Sequence, residues 1–315
     1  MPLQEPNMDR RSFLKWQMHG LIWLSAAGGL LPPIRAAAEG LTGPADIAVA
    51  KGAPAAATRA AVDTLGGMAR FVKPGQKVVI KPNMSFAKGP ETAANTHPDV
   101  VRELILMVKE AGAREVLVLD HSLHNAADAL RLSGILAACD AVAPGICRHL
   151  MDERFYADAA FPQGKEMREN KVMRDVLEAD VLIAAPVAKS HGGAGVSLSL
   201  KGQMGLVWDR MAMHSRYGLA TAIVDMCTLL KPDLAVIDAT RVLSSRGPGG
   251  PGVVLEPGEV IASADPVAAD AATVISYEWY GRRLKAGNVG HIVEAHNRKL
   301  GRMDVENLVI QRVTA

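Results

Sequence analysis

Apolar positions along the chain switch repeatedly between two spacings. Residues 46–51 alternate, as a half-buried strand does, and residues 55–71 follow with helical spacing. Lys77-Val78-Val79-Ile80-Lys81 is a short apolar run that suits a buried strand, cut by Pro82-Asn83. Val100, Val101, Leu104, Ile105 and Val108 recur at three- and four-residue intervals, which predicts a helix over 97–112. Thr96 suits its N-cap, Pro98 its first turn and Gly112 its C-terminal stop. A strand is predicted over 115–119, closed by Asp120-His121, then a helix over 126–139 and a strand over 146–151. The alternation continues with helix 172–179, strand 181–185 and a short extended run over 196–200. Helix 219–230 ends at Lys231-Pro232, and strand 234–237 meets Asp238. Strand 259–262, helices 267–279 and 289–300 and strand 308–312 complete the pattern. Residues 154–169 read as an irregular polar insertion or flap, and the Gly- and Pro-rich stretch 244–252 as a loop.

Alternation of this kind, with no linker and no repeat, predicts one α/β domain over 39–315. Its architecture would be three-layer α/β/α around a mostly parallel sheet. Aromatic residues are only 4% of the chain while Ala, Val, Leu and Gly are plentiful, a mix that lets helices lie close to a sheet.

The first 38 residues follow another logic. Arg10-Arg11 and Ser12-Phe13-Leu14-Lys15 precede an apolar run over 18–31, then Pro32-Pro33 and Ala36-Ala37-Ala38. Charge, apolar core and small-residue exit, in that order, make a secretion signal. The arginine pair with Phe-Leu-Lys resembles the twin-arginine export signal. The apolar run falls short of the ~20 residues a membrane span needs. A signal over 1–38, cleaved near Ala38, is therefore expected, with an uncleaved anchor as the alternative. The resemblance implies the Tat export machinery as a partner, a periplasmic location and no stable membrane insertion after cleavage. That route carries folded proteins, often around a cofactor.

Charge and cysteines narrow the classes. The net charge of +2 loses four positive and two negative residues with the signal, leaving a near-neutral chain. The pI of 8.4 thus belongs partly to the signal, and nucleic acid is not an expected partner. Cys139, Cys147 and Cys227 form no C-x-x-C pair, so no cysteine-ligated iron–sulfur cluster is expected. An oxidising compartment admits a Cys139–Cys147 disulfide, but buried thiols are the favoured reading.

In such folds ligands bind outside the carboxyl ends of strands. Charged groups and histidines collect there: Lys81 and Asn83 after one strand, Asp120 and His121 after the next, Lys189 and His191 after 181–185, and Asp238 after 234–237. Lys81, Lys189 and Lys201, with Asn83 beside them, suit the binding of a small anion. His97 and His191 suit acid–base work, with Asp120 and Asp238 orienting them. His121, His214 and Asp225 are further candidates, whereas His291 and His296 read as surface residues. Lys189-Ser190-His191-Gly192-Gly193-Ala194-Gly195 suggests backbone amides offered to an anion, though it is neither a Walker A loop nor a dinucleotide fingerprint. There is no H-E-x-x-H and no G-x-S-x-G. A divalent metal held by His and Asp from separate strand ends would leave no spacing signature, so that cofactor stays open.

Several of these segments together resemble the DUF362 domain family. They are Val79-Ile80-Lys81-Pro82-Asn83, Thr96-His97-Pro98 heading a helix, and Asp120. Ala185-Pro186-Val187-Ala188-Lys189-Ser190-His191 resembles the family's P-K-x-K-x-H segment, and Val196-Ser197-Leu198-Ser199-Leu200-Lys201-Gly202 its T-L-S-L-K-N run, with Gly202 where Asn is usual. Lys231-Pro232-Asp233-Leu234 through Asp238, and Asp265-Pro266-Val267-Ala268-Ala269-Asp270, resemble its second half. The resemblance runs over 47–279. Some relatives carry a ferredoxin-like cluster domain whose cysteines this chain lacks. Three functions remain in play: a periplasmic enzyme acting on a small anion, a non-catalytic metal-, cofactor- or anion-binding protein that supports maturation of another exported protein, and a redox accessory that has lost its cluster.

Overall fold

The computed structural model describes residues 45–315, and the signal-like segment with its cleavage point lies outside the described residues. Eight strands make the backbone of one sheet: β1 (Ile47–Lys51), β2 (Lys77–Pro82), β3 (Glu115–Asp120), β4 (Cys147–His149), β5 (Val181–Ala185), β6 (Leu234–Leu243), β7 (Glu259–Ser263) and β8 (Ile310–Thr314). Their spatial order is β8-β1-β7-β6-β5-β2-β3-β4. Only β7 runs against its neighbours, β1 and β6; every other adjacent pair in this order is parallel. The order reverses between β2 and β5. From β2 the chain steps to β3 and β4, and from β5 it steps the other way to β6.

Side chains alternate across each strand, so one strand feeds two cores. Val78 and Ile80 pack with the Pro54–Thr64 and Pro98–Glu110 helices on one face. Val79 packs on the other face with the Leu219–Cys227, Pro266–Ser276 and Gly290–Asn297 helices. Helices on both faces give the three α/β/α layers and explain why β2 and β5 read as continuous apolar runs rather than alternating ones.

Several local expectations change. The Pro98–Glu110 helix is capped by His97, whose Nδ1 accepts from Asp99 N at 3.1 Å. Thr96 instead joins two strand ends: its hydroxyl donates to Ala185 O (2.7 Å) and accepts from Asn83 N (2.9 Å). The helix expected over 126–139 is two helices, Ala126–Ser133 and Ile135–Asp140, divided at Gly134 with φ +75°. The polar stretch 154–169 is not irregular. It supplies most of an antiparallel hairpin, Tyr156–Ala160 with Glu169–Met173, which buries Tyr156, Phe161 and Met167 in the second core. The hairpin takes Val172 and Met173, so the helix expected over 172–179 shrinks to Arg174–Leu177. All three cysteines are buried free thiols. His291, expected at the surface, is 1% exposed. No helix among the described residues is long and apolar enough to cross a membrane.

Candidate functional site

At the reversal between β2 and β5, the loops leaving adjacent strands diverge and leave a crevice. A cavity of about 430 Å³ opens there, lined by Lys81, Asn83, Asp120, Lys189, His191 and Lys201 among others. Six of the eight residues expected at the site therefore share one wall. His97 and Asp238 do not line it. Strand β6 runs on through Asp238 to Leu243, because that buried carboxylate is fully occupied within the strand and beside it. It accepts from Thr240 N and Oγ1, from Arg241 Nη2 at 2.9 Å and from His97 N at 2.7 Å. Asp238 and His97 thus anchor the start of a helix and are not placed to orient a group in the cavity.

Lys81 and Asp120 form its floor. Lys81 Nζ lies 3.1 Å from Asp120 Oδ1 and donates to Pro82 O. Asp120 also accepts from Met84 N (3.1 Å), Ser85 Oγ (2.8 Å) and His121 N (2.8 Å). Burial alone would raise its pKa, but Lys81 and these donors hold it below the usual carboxylate range. The short turn Gln203–Leu206 lies directly over the pair. A Cβ on Gly205 would sit 2.0 Å from Asp120 Oδ1, so only glycine allows this approach.

The segment after β5 is not a loop but a strand, Val187–His191, paired with Gly195–Ser197. Its alternation turns Lys189 and His191 to the cavity, while Ser190 accepts from Gly247 N at 2.9 Å. Lys189 Nζ donates to Ala94 O (2.6 Å) and stands 4.8 Å from the centre of the Phe86 ring. Burial and the nearby Lys201 push Lys189 down to about 7. The glycine-rich turn offers no free anion cradle, because Gly193 N and Ala194 N both donate to His191 Nδ1 at 3.2 Å. That fixes the proton of a neutral His191 on Nε2. Burial, with Lys201 and His214 close by, pushes His191 down to about 3, and its ring stacks on His214 with centroids 6.0 Å apart.

Lys201 comes from the Ser199–Gly202 turn, and its position is set from behind. Asp270, on the Pro266–Ser276 helix, accepts from Ser199 N (2.8 Å), Leu200 N (3.0 Å) and Ser199 Oγ. Burial, with Lys81 and Arg210 nearby, pushes Lys201 down to about 8. The family-like Asp265-Pro266 and Asp270 positions are thus structural: Asp265 caps this helix and Asp270 holds the lysine turn. Asn83 Oδ1 accepts from Val187 N at 3.1 Å.

Arg210 and Ser85 line the same cavity and were not expected. Arg210 Nη1 donates to His121 O at 3.0 Å. Its only sequence cue is Asp209, which caps the Arg210–Ser215 helix, and nothing in the spacing ties that helix to the end of β3. Among the described residues no group of three or more His, Cys, Asp or Glu is placed to hold a metal ion. Asp225, another candidate, is bonded to Arg298 (2.6 Å) and to the amides of Lys165, Glu166 and Met167. A second hollow of about 620 Å³ lies between the Tyr156–Ala160 hairpin and Arg216-Tyr217; it contains none of the expected residues.

Known proteins resemble this chain to differing extents. The thylakoid-associated protein sll1697 of Synechocystis sp. is 27% identical over 224 residues, covering 68% of this chain and 67% of that protein. The lactate racemase apoprotein of Thermoanaerobacterium thermosaccharolyticum aligns at a TM-score of 0.41 and 12% identity, over 62% of this chain and 50% of that one. A protein from Thermotoga maritima aligns at a TM-score of 0.37 and 15% identity, over 59% and 51%. The chain thus spans about half the length of these two solved structures. The model of the domain of unknown function DUF362 matches residues 78–274, more than half of the sequence and including all the cavity residues described above, and the chain belongs to that family.

Proposed function

We propose that this protein is an exported enzyme that binds a small organic anion in the cavity at the β2–β5 reversal. The observation that carries the reading is the concentration of cationic side chains there. Lys81, Lys189, Lys201 and Arg210 converge on about 430 Å³, and the carboxylates on the wall, Asp120 and Asp209, are already engaged by Lys81 and by the amide of Ala212. Like charges held close and away from water are costly, and an anion relieves that cost. His191 and His214 add neutral imidazoles beside the cations, which suit proton transfer to a bound molecule better than a purely binding role. Delivery through the Tat machinery to the periplasm is supported by Arg10-Arg11 and the apolar run that follows them.

Calorimetric titration with sulfate, phosphate and a panel of small mono- and dicarboxylates tests the reading. Anions are expected to bind and to raise the unfolding temperature, with weaker binding in Lys201→Ala and Arg210→Ala. Equal binding of neutral analogues, or unchanged anion affinity in both variants, would overturn it. Turnover of any bound panel member separates an enzyme from a binding protein.

A further inference from the structure

Resting on the anion reading, we infer that Lys189 forms an imine with the carbonyl carbon of a small 2-oxo acid held in this cavity. The three lysines of the wall are not equivalent. Lys81 has Asp120 at 3.1 Å. Among the described residues no carboxylate comes within ion-pair distance of Lys189, although its side chain is almost wholly enclosed. Its ammonium would be held only by one carbonyl, Ala94 O, and the face of Phe86. Lys201 and Lys81 repel it, and the more distant charge of Asp120, paired with Lys81, offsets this only in part. A buried amine with no carboxylate against it sheds its proton readily, and a neutral amine is a nucleophile. Lys189, Lys201 and Arg210 line the same cavity of about 430 Å³, so an anionic group bound by Lys201 and Arg210 is held in the space that Lys189 faces. A molecule with a carboxylate next to a carbonyl matches that juxtaposition. His191 shares the strand face with Lys189 and carries its proton on Nε2, so it offers a donor for the carbonyl oxygen.

The step balances without a co-reactant. The Nζ lone pair attacks the carbonyl carbon, a C–N bond forms, and the π electrons move to oxygen. One proton passes from nitrogen to that oxygen and gives a carbinolamine. A second proton transfer expels the oxygen as water, the C–O bond breaks, and C=N forms. Nothing is oxidised or reduced until a hydride reagent is added.

Borohydride trapping tests the assignment. The protein is incubated with pyruvate, 2-oxobutyrate and 2-oxoglutarate, reduced, digested and mapped by mass spectrometry, with 2-hydroxybutyrate as the carbonyl-free control. A reduced adduct on the Lys189 peptide is expected, with a yield about tenfold higher at about pH 8 than at about pH 6. The hydroxy acid should compete with the adduct and form none. Lys189→Arg should abolish trapping at this position; if that variant does not fold, the adduct position in the unmodified chain decides alone. Oxo-acid binding without an adduct on Lys189, or adducts spread over surface lysines, overturns the imine and leaves the anion site standing. Binding of sulfate or phosphate but of no oxo acid overturns it as well. Failure of every anion to bind removes both this proposal and the function it rests on.

Discussion

Lys81 Nζ and Asp120 Oδ1 stand 3.1 Å apart, brought together by the carboxyl ends of two adjacent parallel strands and sealed from solvent by a single turn of backbone. Each charge offsets the other, and Asp120 is held further by donors from Met84, Ser85 and His121. Asp120→Asn should cost about 3–5 kcal/mol by leaving a buried ammonium unpaired. Lys81→Met with Asp120→Asn should recover a substantial part of that loss. Urea unfolding of the single and double variants measures the coupling, and additive losses would show that the pair is not a unit.

Gly205 offers an independent probe of the same floor. A methyl group at this position meets Asp120 Oδ1 at 2.0 Å and Lys81 Cε at 2.8 Å. Both side chains are buried and paired with each other, so Gly205→Ala should destabilise by about 1–3 kcal/mol, the usual cost of overpacking. It should also weaken sulfate binding, because the displaced lysine belongs to the cavity wall. A stable variant with unchanged affinity would mean that the turn shifts away as a body.

Anion affinity should depend on pH through two lysines. Lys201, pushed down to about 8, and Lys189, pushed down to about 7, each gain a proton as pH falls, and the charged form attracts the anion. Sulfate keeps its charge over this range. Its affinity should therefore climb as pH falls from about 9 to about 6 and then level off. His191, at about 3, adds no step in that window. Isothermal titration across the range checks the profile, and Lys201→Met should remove the upper part of the rise.

Much of this arrangement was legible in the sequence, for a definable reason. Lys81 and Asp120 follow short apolar runs directly, so strand ends and charged residues coincide, and the parallel α/β pattern places those ends on one rim. Lys189 was legible as a residue but not as part of a strand. The run from Val187 to His191 has too little apolar character to signal pairing with Gly195–Ser197. Asp238 misled because a carboxylate after four apolar residues looks like a strand end. Donors from Thr240 and Arg241 further along the same strand, with the distant His97 amide, satisfy it inside β6. Arg210 was not legible at all, since it reaches the cavity from a six-residue helix whose placement depends on distant packing. The 154–169 segment hid its hairpin because Tyr-Ala-Asp-Ala-Ala and Glu-Asn-Lys-Val-Met carry few large apolar residues and no regular apolar–polar alternation.

The pH dependence of stability should carry a signature of Asp270, which connects the fold to Lys201. Burial pushes this carboxyl up to about 7 despite the donors from Ser199 and Leu200. In the unfolded chain an aspartate titrates near about 3.9. Between those values the folded state holds a proton that the unfolded state has lost, so stability falls as pH rises. The contribution is complete below about pH 4 and is lost by about pH 7. Asp270→Asn cannot titrate, so it should flatten this part of the stability profile, measured as denaturant midpoint against pH. The amide provides one acceptor where the carboxyl provides two, and its NH₂ faces a backbone donor. The Ser199–Gly202 turn should therefore loosen, and sulfate affinity should fall even though residue 270 is not on the cavity wall. A variant that flattens the profile but binds sulfate unchanged would separate the two roles and show that Lys201 is placed by the rest of its turn. A profile that keeps its slope would assign the titration to another buried group.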